Sequence, residues 1–297
     1  MLTVADVVDR VFRDWLYPPD FQPTQSNLIA DLEVGDTTLH LDTYTVTPEE
    51  LMLLGGGSII EVGTEQMIVQ SVEDSTGEVT LSARGTNNTD EQEHKSGSAV
   101  LFNPTFTRKS VFDTVSDTIV SYYPDLYAIR TTDSVEYSSS NGILEIPSDA
   151  HIPVSLYANH GGRWERINFD HHPNFPGVHS HNALFTPGAS SSASHYLTYH
   201  GPLYRPASEN DALSTLGFRD EWTKLLTVST VIHLIGSRDI DTISQTHIAQ
   251  VLQAEYQASR STSIRRDMLQ YENMLMERAK SSLYAQSNIP MQISRGF

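Results

Sequence analysis

The sequence predicts an α+β protein: a helical body (N-terminal helix, central helix, C-terminal helices) with an inserted small β-barrel-like module and a second β-rich region. Three observations predict it. Apolar residues at three- and four-residue steps recur at the N-terminus, in the middle and over the last quarter of the chain, which is the α-helical period. Between the first two of these stretches lie alternating segments bounded by turn residues. A second strand-like, turn-rich tract separates the central helix from the last ones.

Taken in order, Val4 to Trp15 reads as a helix because Val4, Val7, Val8, Val11, Phe12 and Trp15 share one face, and Pro18-Pro19 ends it. Residues 28–104 form the β-module. Thr37 to Asp42 and Ser58 to Val62 are strands, and Glu65 to Val72 alternates Met67 and Val69 with Ile68 and Gln70. Asp74-Ser-Thr-Gly77 turns the chain into Glu78 to Ser82. Arg84-Gly85-Thr86 then opens a polar excursion that returns as Ser98 to Phe102. Gly55-Gly56-Gly57 is a chain reversal rather than a phosphate loop, since no Lys-Ser/Thr follows and a strand comes next.

Arg108 to Tyr123 returns to helix, with Val111, Phe112, Val115, Ile119 and Tyr122 in one stripe and Pro124 as its stop. Ile143 to Ile146, Val154 to Tyr157, Trp164 to Ile167 and Tyr196 to Tyr199 read as strands, with turns at Asn141-Gly142, Gly161-Gly162 and Pro187-Gly188. Asp220 to Leu234, Ser244 to Ala258 and Ile264 to Tyr284 read as helices. The expected organisation is an N-terminal helix and linker (1–27), the inserted β-module (28–104), the central helix (105–126), the second β-rich region (127–210), a C-terminal helical region (211–284) and an extended arm (285–297).

The 297-residue chain has a formal net charge of −18, unevenly spread. Residues 1–104 hold 18 Asp/Glu against 4 Lys/Arg, a balance of −14, whereas residues 105–297 hold 19 against 15, a balance of −4. The last 38 residues reverse sign, with six Lys/Arg against three Asp/Glu. Nucleic-acid affinity comes from basic side chains neutralising phosphates, so sequence-specific DNA binding is not expected. An acidic front and a basic tail suit different partners at two ends, although a solubilising surface explains the charge as well. Cysteine is absent, which excludes disulfides, Cys-ligated zinc and thiol chemistry. Asp6 and Asp9 interrupt the first eleven residues, which do not read as a signal peptide. No apolar run approaches about 18 residues, so no membrane span is expected, and the expectation is a protein made in the cytoplasm.

Several features invite a chemical reading. His171, His172, His179 and His181, with His195 and His200 nearby, are candidate metal ligands, but their spacing matches no site pattern. Asp170-His171-His172 lacks the further aspartate motifs that a metal-dependent phosphoesterase needs. No Gly-x-Ser-x-Gly elbow is present, and the Ser190 to Ser194 run has only the sequence-adjacent His195. Trp164, Tyr196, Tyr199 and Tyr204 could form a carbohydrate platform; core packing of a small sheet explains them more simply. The expectation is therefore no catalytic residue, no cofactor and no enzyme.

The residues Gly63, Glu65, Met67, Leu81, Arg84, Gly85, Thr86, His94, Gly97 and Val100, followed by Tyr123-Pro124-Asp-Leu-Tyr127, form a pattern. Together with the element order it resembles the head-to-tail adaptor (connector) proteins of tailed bacteriophages. The Arg-Gly…His…Gly block recurs in several kinds of phage structural protein, and the acidic insert Asn87 to Glu93 departs from the pattern.

The resemblance implies a virion protein at the head–tail junction: a homo-oligomeric, roughly dodecameric ring bound under the portal protein. It hands the DNA channel to the next tail component, with DNA passing through unread and no membrane involved. Helices 105–126 and 211–284 would form the ring body. The arm would dock on the portal through Ile289, Pro290, Met291, Ile293, Arg295 and Phe297, and Arg84, Asp90, Glu91, Glu93, Arg265 and Arg266 are candidates for contact with a neighbouring copy. Two other readings stand beside it. One is a tail or baseplate protein that binds another tail component or a host glycan; the other is a metal-dependent hydrolase centred on the histidine-rich loop.

Overall fold

A computed structural model describes residues 1–17, 24–138, 143–173, 182–186, 193–236, 242–256 and 264–287. The fold is mixed α/β, with 32% helix and 31% strand. Every strand pair among the described residues is antiparallel. The expected helical body with a β-insertion is thereby corrected. Periodicity identifies a helical segment but not the share of the core that helices supply, and both β regions here bury apolar clusters of their own.

The chain divides into two compact units. One comprises Ala5–Val115 and Leu226–Glu272; the other comprises Met1–Val4, Ser116–Leu225 and Asn273–Phe297.

The first unit opens with α1 (Val4–Arg10), which widens into a π-helical turn, Val11–Leu16, closed by the Tyr17 N–H on the Phe12 carbonyl at 3.0 Å. The single straight helix expected over Val4 to Trp15 thus changes pitch midway, and the wider turn keeps Val11, Trp15 and Leu16 buried together. Then come β1 (Gln25–Asn27), β2 (Thr38–His40), α2 (Pro48–Leu51), β3 (Ile59–Val62), β4 (Glu65–Glu73), β5 (Glu78–Ala83), β6 (Ala99–Phe102) and α3 (Arg108–Ser121). The six strands form one sheet in the order β1-β6-β3-β4-β5-β2. It curls until the chain just past its two edge strands meets, through the bridge Leu28↔Leu41 and the Asp42 N–H on the Asn27 carbonyl at 2.8 Å. Alternation sends Ile60, Val62, Met67, Val69, Val79, Leu81, Val100 and Phe102 inward, where Leu28, Leu41 and Leu51 join them. A capping box fixes α2: Thr47 Oγ1 accepts the Glu50 N–H, and the Glu50 carboxylate accepts the Thr47 N–H at 2.8 Å.

The second unit holds β7 (Ala128–Thr132), β8 (Glu136–Ser138), β9 (Ile143–Glu145), β10 (Ile152–His160), β11 (Arg163–Ile167), β12 (Asp170–Pro173), β13 (Asn182–Phe185) and β14 (Ser194–Gly201). They make two four-stranded sheets, β11-β10-β14-β7 and β12-β13-β9-β8. Leu156 and Leu197 of one and Leu144 and Leu184 of the other lie in a single buried cluster, so the sheets pack face to face as a sandwich. Three helices follow in the chain, α4 (Thr223–Gly236), α5 (Thr242–Tyr256) and α6 (Ile264–Ser287), and their stretch Leu226–Glu272 belongs to the first unit. Met268, Tyr271, Leu275, Ala279 and Leu283 form the buried stripe of α6 at the spacing read in the sequence. No described helix is long and apolar enough to cross a membrane.

Candidate functional site

The residue set that carries the sequence pattern converges on one carboxylate. Glu65 opens β4 with its side chain fully buried, and Arg84, just after β5, reaches back across the hairpin. Arg84 Nε donates to Glu65 Oε1 and Arg84 Nη2 to Glu65 Oε2, each at 2.9 Å, the two-pronged geometry that guanidinium and carboxylate share. The Gly85 N–H adds a bond to Oε1 at 3.2 Å and the Gln92 N–H one to Oε2 at 3.0 Å. His94 Nε2 lies 2.8 Å from Oε2 and donates to it, because an ionised carboxylate can only accept. Burial pushes the Glu65 carboxyl up. The Arg84, Gln92 and His94 hydrogen bonds outweigh that, so the net shift is below the ordinary glutamate range.

With five donors, Glu65 keeps no oxygen lone pair aimed at solvent for proton transfer or metal binding. Its role is to fasten the polar excursion onto the barrel-like sheet. Arg84 extends the fastening through the carbonyls of Glu33 and Gln92. Gly85 makes the tight approach possible: its φ is +58°, and a Cβ there would stand 3.0 Å from the Glu91 nitrogen. Gln66 holds the next residues, its N–H donating to Thr89 Oγ1 at 3.0 Å and its Oε1 accepting from Asn87 Nδ2 at 2.8 Å.

The sequence-predicted contact residues separate by environment. Arg84 is only 5% exposed and engaged inside the module. Asp90 is exposed, and Glu91 accepts the Gly35 N–H at 2.6 Å. The carboxylates of Glu93, Asp31 and Glu33 lie within 4.8 Å of one another. Lys95 Nζ already stands among them, 3.2 Å from Asp31 and in contact with Glu93, so the protein supplies its own cation there. Arg265 and Arg266 are exposed on α6 and form no ion pair among the described residues. The arm residues Ile289, Pro290, Met291, Ile293, Arg295 and Phe297 lie outside the described residues, as do His179 and His181.

The histidine tract does not assemble a metal site among the described residues. His171 and His172 are consecutive on β12 and therefore point to opposite faces of the strand. His171 Nε2 is bound to Asn182 Oδ1 at 2.6 Å, and Asn182 is itself anchored on the carbonyls of Pro147 and Ala150. His195 is buried in the sandwich with its Nε2 unbonded, and His200 stacks on Tyr127 with ring centroids 3.9 Å apart. Burial lowers both, His195 further through His160.

The four aromatic candidates divide too. Tyr199 is buried, and with Tyr204 it donates to Asp149, a carboxylate also bound by Arg130 Nη1 at 2.7 Å. The Arg130 guanidinium lies 3.5 Å over the Tyr204 ring. Only Trp164 and Tyr196 remain on the outer face of the sheet, packed edge to face with ring centroids 6.2 Å apart.

Sequence reading missed the Asp149 lock, whose members come from strands β7 and β14 and from two loops far apart in sequence, and it missed Glu61. That carboxylate is buried at the start of α3 and accepts the Arg108 N–H through both oxygens, at 2.8 and 3.0 Å, where the helix dipole favours negative charge. An acidic residue just before a helical stripe is the usual signal for such a cap; Glu61 lies 47 residues upstream in sequence and gave none. Beside it a cleft of about 320 Å³ is lined by Phe12, Tyr17, Leu101, Glu61 and Arg108.

Fold and site together define a mixed α/β protein in which a curled β-module, keyed by a buried Glu–Arg–His cluster, accompanies a β-sandwich. No protein-family model matches the chain, and no curated protein matches it.

Proposed function

We propose that the protein is a structural virion component of a tailed bacteriophage, a head-to-tail adaptor whose copies form a ring under the portal and continue the DNA channel to the next tail component. The observation that carries the reading is the cooperation of the resemblance residues. Glu65, Arg84, Gly85 and His94 form one buried cluster, and Met67, Leu81 and Val100 belong to the core of the same module. Gly63, Gly85 and Gly97 all adopt positive φ within it. Scattered residues that meet in three dimensions act as one folding unit, and that is what supports reading them as a pattern.

The chemistry of the cluster supports a mechanical role. Its carboxylate is saturated and its residues fasten a loop. The net charge of −18 suits a conduit, because carboxylates repel phosphate and let DNA slide past.

The test is imaging and solution mass of the purified chain, alone and mixed with portal protein from the same phage. Closed rings that bind portal are expected, with binding weakened by deletion of residues 288–297. A chain that forms no ring in either condition overturns the reading.

A further inference from the structure

Among the described residues, strand β11 is the most exposed strand of the sandwich and lies at the edge of its sheet, with one side of its backbone unpaired. An exposed edge is a template for contact with another chain. Cross-strand register places Arg166 beside Tyr157 and Tyr196 in one row, and Trp164 beside Asn159 and Ser194 in the next row on that face. Trp164 is 37% exposed, a large value for so apolar a residue. Arg166 is exposed and has no hydrogen-bond or ion-pair partner among the described residues, whereas Arg163 leans on Glu165 at 3.5 Å. Exposed Trp164 and Arg166 beside the half-buried Tyr157 and Tyr196 form the Trp, Tyr and Arg composition that dominates protein–protein contacts.

The β4–β5 hairpin tip of the other unit has the opposite character. Glu73 and Glu78 stand directly opposite each other in register, with Asp74 in the turn between them. Like charges placed opposite across a strand pair destabilise it. All three are exposed, and none forms an ion pair among the described residues. A guanidinium from outside would relieve that repulsion.

We propose that the Arg166–Trp164 face of one copy receives the Glu73–Asp74–Glu78 hairpin tip of a second copy. The contact is heterologous, joining different surfaces of two identical chains, and repeated around a closed circle it builds a ring. It rests on the adaptor reading, for which it names one of the surfaces between subunits.

The test is sedimentation of the full chain over a range of concentration and salt, with circular dichroism to confirm that each variant is folded. Arg166→Glu and Trp164→Ala should each weaken self-association about tenfold or more, and added salt should weaken the wild type. Asp74→Lys should weaken it as well. Mixing Arg166→Glu chains with Asp74→Lys chains should restore association, because the reversed charges then match. Wild-type association by both face variants, a wild type that stays monomeric throughout, or a mixture that stays dissociated would each overturn the contact. Saccharide binding on a glycan array that Trp164→Ala abolishes, with association unchanged, would assign the face to a glycan instead. Rings formed by Arg166→Glu would remove this contact while leaving the adaptor reading intact; absence of rings with portal present removes the adaptor reading itself.

Discussion

Arg84 lies across Glu65 with two N–H···O bonds of 2.9 Å, and both side chains are almost wholly withdrawn from water. The pair joins the first residue of β4 to the residue that follows β5, so it closes the hairpin at the end away from its turn. The same carboxylate holds the Gly85 and Gln92 N–H groups, so one side chain fixes both the exit from the hairpin and the far end of the excursion.

Removing one partner of a buried pair leaves the other charged and unsatisfied, which costs more than the pair contributes. Glu65→Ala should therefore destabilise the chain by about 3–5 kcal/mol, read as a fall in the urea midpoint. Arg84→Lys keeps the charge but loses the fork, and should cost about 1.5–3 kcal/mol.

Acid should act in two steps. His195 and His200 titrate below the ordinary histidine value in the folded chain, so the unfolded chain binds their protons first. Their stabilising effect is complete above about pH 6.5 and is lost as pH falls through the lowered folded values. Glu65, also lowered, gives the second step: its contribution is complete above about pH 4.3 and is lost below that, through its folded value. Urea midpoints measured against pH should show both declines. His195→Phe with His200→Phe should flatten the upper one alone, and Glu65→Gln should shrink the lower one without abolishing it, because the Asp149 carboxyl, held down by Tyr204 and Arg130, declines over the same range.

What the sequence disclosed follows from range. The stripes of α3 and α6 and the β4–β5 alternation are local periodicities, and each appears where it was read. The π-helical turn was invisible because Val11, Phe12 and Trp15 fit a regular helix equally well. Strand β9 appears where Ile143 to Ile146 was read, whereas β8, β12 and β13 have three or four residues each, and Asp170-His-His-Pro173 shows no alternation to detect. Glu65, Arg84 and His94 were legible as a pattern, yet Arg84 was expected on a contact surface. A charged residue is exposed by default, and only its long-range partner turns it inward. The balance between helix and sheet is a property of the whole core, which no single window carries.

Base should loosen the sandwich through Tyr199. Burial, then the charge and hydrogen bonding of Asp149, push its phenol up to about 12. The folded state thus holds this proton more tightly than the unfolded chain, where tyrosine titrates near about 10. Stability from this group is complete below about pH 10 and is lost as pH rises through the folded value. In a phenolate absorbance titration Tyr199 should ionise late and together with unfolding. Tyr199→Phe should remove that slope and cost only about 1 kcal/mol at neutral pH, because Arg130 and Tyr204 still hold Asp149.

Two glycines with similar backbones should respond differently to alanine. Gly97 has φ +87° and open space around the position of a Cβ, so Gly97→Ala meets backbone strain alone, about 1–2 kcal/mol. Gly217 has φ +81°, but a Cβ there would stand 2.4 Å from the Ala128 Cβ, an atom fixed to the backbone of β7. No rotamer change can relieve that overlap, so either β7 or the Gly217 turn must move. Gly217→Ala should therefore cost strain and overpacking together, about 2–5 kcal/mol. Thermal midpoints of the two variants, measured side by side, should separate them by several degrees. Equal midpoints would mean that the Gly217 turn yields as easily as the open turn at Gly97.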